Sequence, residues 1–298
     1  MLALLSAVWG ASYLLIAYAI EEIPESLVVF ARTALAALAL LLVIRVRGGE
    51  LRPFLRDARR RPGTALLLGL VAIALPFMLI TFGERTVPSG LTAVLIASAP
   101  IFIAILAPAL DRTEIVSPLG WGGLIVGLVG VGLLVGVEQI GTPGELLGAL
   151  AMVGAAASYA LSGFILKREY PGYPPVVTSL LAIGASAALT LPAATVQPPD
   201  AVPGGLAVLA VVALALVGTA WAFVVYYRLI AEIGYSRASV VAYTIPPVAL
   251  AYGWALRDEP ITLATVGGMV LILVGVFMVA RGRRSPKTST APSPAAAA

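Results

Sequence analysis

Arg32 is the one charged residue of this sequence set well inside an apolar run, two turns past Pro24 and Glu25. A guanidinium so placed can hold an anion through paired N–H donors, or it can clamp neighbouring helices through their carboxylates. A charge inside a bilayer costs from about 3 kcal/mol upward, so Arg32 should have a partner. The nearest acids by position are Glu21, Glu22, Glu25 and Glu84. Arg32 and Glu84 are therefore the candidates for a helix clamp or gate, and capture of a solute carboxylate is the other reading of Arg32.

A second set of residues is aromatic and hydroxylic. Trp9, Ser12 and Tyr13 share one helical stripe, and Ser158, Tyr159 and Ser162 share another. Phe77, Thr81 and Ser98 add to them, as do Trp221, Tyr226, Tyr227, Tyr243 and Thr244. Apolar walls with scattered hydroxyls suit the binding of an amphipathic small molecule, not bond-making. Two competing uses bear on them. Ser and Thr within helices often bond the carbonyl one turn back, and Tyr or Trp near helix ends anchor at the interface, as expected for Trp121, Tyr173 and Trp254. The chain has no His and no Cys, which removes imidazole bases, thiol nucleophiles, disulfides and the usual soft metal sites. Neither a cofactor nor a metal is called for. Glu114 and Glu259 precede helical runs, where negative charge suits a helix N-terminus, so they read as caps.

These groups must be positioned by helices in lipid. Of 298 residues, 60% are hydrophobic and 11% charged, with mean hydropathy +1.01. Soluble domains carry about 25% charge, and a spanning helix needs about 20 apolar residues. Ten runs qualify: 2–20, 27–46, 64–83, 89–110, 117–137, 145–166, 174–194, 205–230, 235–256 and 261–281. Proline and glycine punctuate them at Pro24, Pro62-Gly63, Pro88, Pro118, Pro143-Gly144, Pro171 and Pro198-Pro199. After Arg281 the composition turns to Ser, Pro, Thr and Ala, which predicts a disordered tail over 282–298. Ala17-Tyr18-Ala19 mimics a signal-cleavage site, but no basic residue precedes the first run.

The basic residues fix an orientation. With the N-terminus inside, all 19 Lys and Arg except Arg32, Arg85 and Arg257 fall on the cytoplasmic side, as the positive-inside rule asks. Both termini are then cytoplasmic. The net charge of +4 is accounted for by this topology, so nucleic acid is not called for as a partner; lipid and a small molecule are.

The sequence also repeats itself. Ser12-Tyr13 returns as Ser158-Tyr159, Phe77 as Phe223 and Pro100 as Pro246, each at an offset of 146. Glu114 returns as Glu259 and Gly122-Gly123 as Gly267-Gly268, at an offset of 145. Five runs per copy is an odd number, so the second copy is threaded upside down. Inverted repeats build two interconvertible states around a midplane site. Pro100 and Pro246 are the symmetric hinge candidates. Gly123, Gly127, Gly132 and Gly136 face Gly267, Gly268 and Gly275 as close-packing stripes, within one monomer.

On Trp9-Gly10-Ala11-Ser12-Tyr13, Phe30-Ala31-Arg32, Leu91–Pro100 with Glu114, and Ala238–Pro246 with Asp258-Glu259-Pro260, the chain resembles the drug/metabolite transporter superfamily in its EamA-type ten-helix branch. Within that branch it looks most like the YddG-like amino-acid exporters. The resemblance implies an all-α membrane protein of ten transmembrane helices, two inverted five-helix repeats (1–141 and 142–281) around a central cavity. It implies an inner-membrane exporter of amino acids or similar metabolites working by alternating access, and not an enzyme. Thr178 stands where the second copy would repeat Arg32, so the halves cannot act identically. No span centre carries Asp or Glu, which favours a facilitator; a proton-coupled metabolite or drug antiporter is the alternative, with Glu84 its only acid. An intramembrane enzyme acting on lipid-linked substrates, and a scaffold or channel subunit, are the readings from other classes.

Overall fold

The computed structural model describes residues 1–46, 48, 51–110, 115–134, 142–233, 238 and 241–284. Glu114, most of the tail (285–298) and the expected repeat boundary at 141 lie outside them, as does the side chain of Tyr243. The described residues are almost wholly helical. In chain order the helices are α1 (Leu2–Ala19), α2 (Glu25–Val46), α3 (Arg52–Arg60), α4 (Pro62–Gly83), α5 (Ser89–Ile96), α6 (Ala99–Leu110) and α7 (Pro118–Leu133). There follow α8 (Pro143–Glu169), α9 (Pro175–Ala194), α10 (Gly205–Glu232), α11 (Val241–Arg257) and α12 (Leu263–Arg281). Eight stretches are long and apolar enough to cross a bilayer, counting α5 with α6 as one. Helices α7, of 16 residues, and α11, of 17, are shorter.

Helix ends follow local chemistry. Thr142 accepts from the Glu145 N–H while Glu145 returns a bond to the Thr142 N–H, a reciprocal cap that starts α8. Thr262 and Ser117 cap α12 and α7. Between the second and third apolar runs the Arg-rich stretch forms α3, with its arginines strung along a short amphipathic helix suited to a membrane surface. Arg283–Arg284, within the stretch expected as tail, pair antiparallel with Ile115–Val116.

Two helices widen into π turns, α4 over Leu70–Ala74 and α10 over Leu214–Trp221. In α4 the cause is Pro76, which lacks an N–H and whose ring crowds the carbonyl of Ala72. Pro100 acts more strongly: α5 stops at Ile96 and α6 resumes at Ala99. Its counterpart Pro246 does not break its helix, and α11 runs through Pro246-Pro247.

Helices pack in pairs. Helix α7 packs along α12, α2 along α9, α1 along α11, and α8 along α4 and α6. Glycines set the first contact. A Cβ on Gly123 would stand 2.5 Å from the Gly275 carbonyl, one on Gly275 would stand 2.5 Å from the Gly127 nitrogen, and one on Gly130 would stand 2.9 Å from the Gly268 carbonyl on α12. The stripe is thus Gly123, Gly127 and Gly130 against Gly268 and Gly275, while Gly132 faces open space.

Candidate functional site

One end of the bundle gathers carboxylates. There Arg257 pairs with Glu21 at 2.7 Å, Arg85 pairs with Glu25, and Glu22 accepts from the Gly204 N–H. Glu259 accepts from the Ser89 N–H, the Ser89 hydroxyl and the Gly90 N–H, each at 3.0 Å. It is a cap, but on α5 in the other half of the chain; its own helix α12 is capped by Thr262. A carboxylate on exposed N-terminal N–H groups satisfies orphan donors and the local positive end of the helix. The result is a tie between α5 and the end of α11, reached through Asp258 in the left-handed backbone region (φ 53°). The opposite end carries the arginines and an Arg61–Glu169 contact of 3.7 Å.

Between the ends lies a cavity of about 150 Å³. Helix α1 brings Trp9, Ser12, Tyr13 and Ile16, α2 brings Arg32, and α4 brings Phe77 and Ile80. Pro100 and Ile103 come from α6, Tyr159, Ser162 and Leu166 from α8, and Phe223, Tyr226, Tyr227 and Ile230 from α10. The lining at the carboxylate-rich end, including Ile16 and Ile80, is buried, whereas Leu166 and Ile230 towards the basic end are half-exposed. The cavity therefore opens towards the basic end and is sealed at the other.

The aromatic wall interlocks edge to face: Trp9 against Tyr226 at 5.1 Å and Phe223 at 5.9 Å, and Phe223 against Phe77 at 6.2 Å and Tyr227 at 5.8 Å. Such pairs add about 0.5–1.5 kcal/mol each beyond burial. The π turns supply acceptors to it. The Gly218 carbonyl takes the Trp9 indole N–H at 3.2 Å, and the Val71 carbonyl takes the Ser158 hydroxyl at 2.8 Å. At Gly218 a Cβ would stand 2.8 Å from the Ser12 hydroxyl, which would have to move.

Arg32 is buried, 4% exposed. Its Nε donates to the Thr219 hydroxyl at 2.6 Å and its Cζ lies 3.9 Å from the centre of the Phe77 ring. None of the acids expected as its partner pairs with it: Glu21, Glu22 and Glu25 are engaged at the helix ends, and Glu84 lies beyond ion-pair distance. The clamp expected between Arg32 and Glu84 is absent among the described residues, because Arg32 sits two turns into α2 and turns inward. Glu84, just past the end of α4, is 8% exposed, and neither carboxylate oxygen has a hydrogen-bond partner. Burial first, and the Glu259 carboxylate second, hold its carboxyl well above the usual carboxylate range.

Of the residues singled out by sequence, Trp9, Ser12, Tyr13, Arg32, Phe77, Pro100, Tyr159 and Tyr227 line this cavity. Others do not. Ser158 turns to α4 and Ser98 bonds the Leu95 carbonyl at 2.6 Å. Thr81 is buried with its hydroxyl unpartnered, Trp221 faces outward, and Thr244 is exposed beside Ser6. Phe223 was legible as the repeat of Phe77; Ile103, Leu166 and Ile230 carried no polar or aromatic signal.

A helical bundle of this length and apolarity is a multi-pass membrane protein, and its ring-walled central cavity is the candidate place for a small molecule. The profile of the EamA-like transporter family matches residues 1–136 and, a second time, residues 146–281. The chain belongs to the EamA-like transporter family. It is 26% identical over 274 residues to the Bacillus subtilis protein named uncharacterized transporter YoaV, covering 91% of this chain and 92% of that one. An uncharacterized transporter of Archaeoglobus fulgidus is 29% identical over 288 residues, with 95% and 98% covered. The uncharacterized inner membrane transporter YedA of Escherichia coli strain K12 is 27% identical over 280 residues, with 93% and 88% covered. One chain solved by crystallography superposes with a TM-score of 0.67 at 19% identity, over 93% of this chain and 95% of that one, a likeness of fold.

Proposed function

We propose that the protein is a carrier that moves amino acids or similar small amphipathic metabolites outward across the inner membrane by alternating access, as a monomer and without a coupling ion. The observation that carries this reading is the cavity, to which both profile-matched segments contribute: Trp9, Tyr13, Arg32 and Phe77 from one, Tyr159, Phe223 and Tyr227 from the other. Two tandem copies of one family around one site fit a mechanism in which inverted halves exchange roles. The packing supports it, since exchanging the copies turns α1 on α11 into α8 on α6, and leaves α7 on α12 and α2 on α9 as themselves. The π turns of α4 and α10 also correspond. With the basic end cytoplasmic, the cavity opens inward and the carboxylate-rich end is the closed outer gate. The likeness to YddG-like exporters and the ring-lined walls favour solutes with an apolar side chain, and a cavity of about 150 Å³ limits their size. The test is solute counterflow in proteoliposomes of the purified protein across a metabolite panel. Saturable exchange of an amphipathic metabolite supports the carrier; movement of no solute under any gradient overturns it.

A further inference from the structure

The polar groups free to meet a solute in the cavity can all donate, and the one that carries charge, Arg32, can only donate. The Ser12 hydroxyl is spent on the Val8 carbonyl at 2.9 Å and the Ser162 hydroxyl on the Tyr159 carbonyl at 2.7 Å. Among the described residues, the hydroxyls of Tyr13 and Tyr159 have no hydrogen-bond partner, and Arg32 has none beyond its Nε bond to Thr219 and no ion pair. Among the described residues no carboxylate lines the cavity, and the one formal charge they bring to it is the Arg32 guanidinium. A buried guanidinium resting on a ring face, with its terminal N–H groups unpaired, lacks the anion that would offset its desolvation.

We infer that the cavity takes its solute as an organic anion, with a carboxylate on Arg32, the Tyr13 and Tyr159 hydroxyls as further donors, and an apolar body against Trp9, Phe77 and Phe223. This rests on the carrier reading and narrows it: solutes of net negative charge are favoured over zwitterions, and cations are rejected. The repeat shows why one anion is held and not two, since the position equivalent to Arg32 is Thr178, whose hydroxyl bonds the Pro174 carbonyl at 3.2 Å. The size fits a single ring with a short acid arm, because about 150 Å³ is the volume of an engineered apolar cavity known to hold benzene.

The test is equilibrium binding to the purified full-length protein in detergent, with four probes that differ at one group: phenylacetate, its neutral amide phenylacetamide, phenylglycine with an added ammonium, and benzylamine with the ammonium alone. Phenylacetate should bind at least roughly tenfold more tightly than phenylacetamide, the scale of a hydrogen bond to a charged group. Phenylglycine should fall between them, and benzylamine should be weakest. Arg32→Gln should abolish the preference for acid over amide while amide binding persists, which shows an intact cavity. If Arg32→Gln binds neither, Arg32→Lys decides: a retained preference for the acid supports the inference, and its loss overturns it. Equal binding of acid and amide by the unaltered protein, or tight binding of benzylamine, overturns it too. Binding of none of the four also overturns it, while counterflow of other solutes by the same preparation would leave the carrier reading standing.

Discussion

Replacing Glu259 with Gln should unlatch the sealed end of the bundle. The carboxylate accepts from the Ser89 N–H, the Ser89 hydroxyl and the Gly90 N–H, each at 3.0 Å, and lies 3.8 Å from Arg257. An amide keeps one acceptor oxygen and loses the charge. A charge-assisted bond is worth about 1.5–3 kcal/mol, and interaction with a helix N-terminus adds about 0.3–1 kcal/mol. The side chain is 14% exposed, so water compensates only in part. A net loss of about 2 kcal/mol would move the balance between sealed and open forms by roughly 30-fold. The chain contains no Cys, so a single Ile80→Cys reporter can be placed in the buried lining at this end without background. Its labelling by a membrane-impermeant maleimide added from the carboxylate-rich side should accelerate on the order of 30-fold when Glu259→Gln is added. An unchanged rate, with the purified variant equally stable, would refute the idea that this cap holds the gate.

Three further outcomes follow from particular contacts. Burial and Glu259, only partly opposed by Arg32 and Arg257, hold the Glu84 carboxyl above the usual carboxylate range, so stability falls as pH rises above the ordinary carboxylate value. Thermal unfolding in detergent should therefore show Glu84→Gln gaining on the unaltered protein from pH 5 to pH 8, and parallel curves would contradict this. Gly275→Ala sets a methyl 2.5 Å from the Gly123 oxygen and the Gly127 nitrogen and should destabilise by about 1–3 kcal/mol, whereas Gly132→Ala, with nothing within 4 Å, should be neutral or better in the same melts. A carrier of a monoanion without a coupling ion is electrogenic: an interior-negative potential of about 100 mV supplies about 2.3 kcal/mol per charge, so loaded proteoliposomes should release a bound organic anion faster when a potassium diffusion potential is imposed, and indifference to voltage would speak against uncoupled export.

The eight stretches long and apolar enough to cross a bilayer were legible because each is an apolar run bounded by proline, glycine or charge. The cavity was partly legible. Trp9, Tyr13, Phe77 and Tyr159 stood out as aromatic groups with a place in the repeat, and they line the cavity. Direction was the missing information. Helices apolar on every face give no periodic signal of which side meets solute, so Ser158 and Ser98, which lie outside the cavity lining, looked equivalent to Tyr13 and Tyr159. Pairing across the bundle was equally hidden: the helix that Glu259 caps lies 170 residues away in sequence, and Arg32, with acids at every nearby helix end, turned from all of them to Thr219 and Phe77. Pro100 and Pro246 matched in sequence, but only the first breaks its helix.

The carrier mechanism depends on the two copies crossing the bilayer in opposite senses, and the equivalent positions Glu22 and Arg168 test that directly. Single Glu22→Cys and Arg168→Cys variants of this cysteine-free chain can be exposed, in intact cells, to a maleimide that cannot cross the inner membrane. Inverted copies require Glu22→Cys to react from outside and Arg168→Cys to react only after the membrane is opened. Reaction of both from the same face would contradict the account.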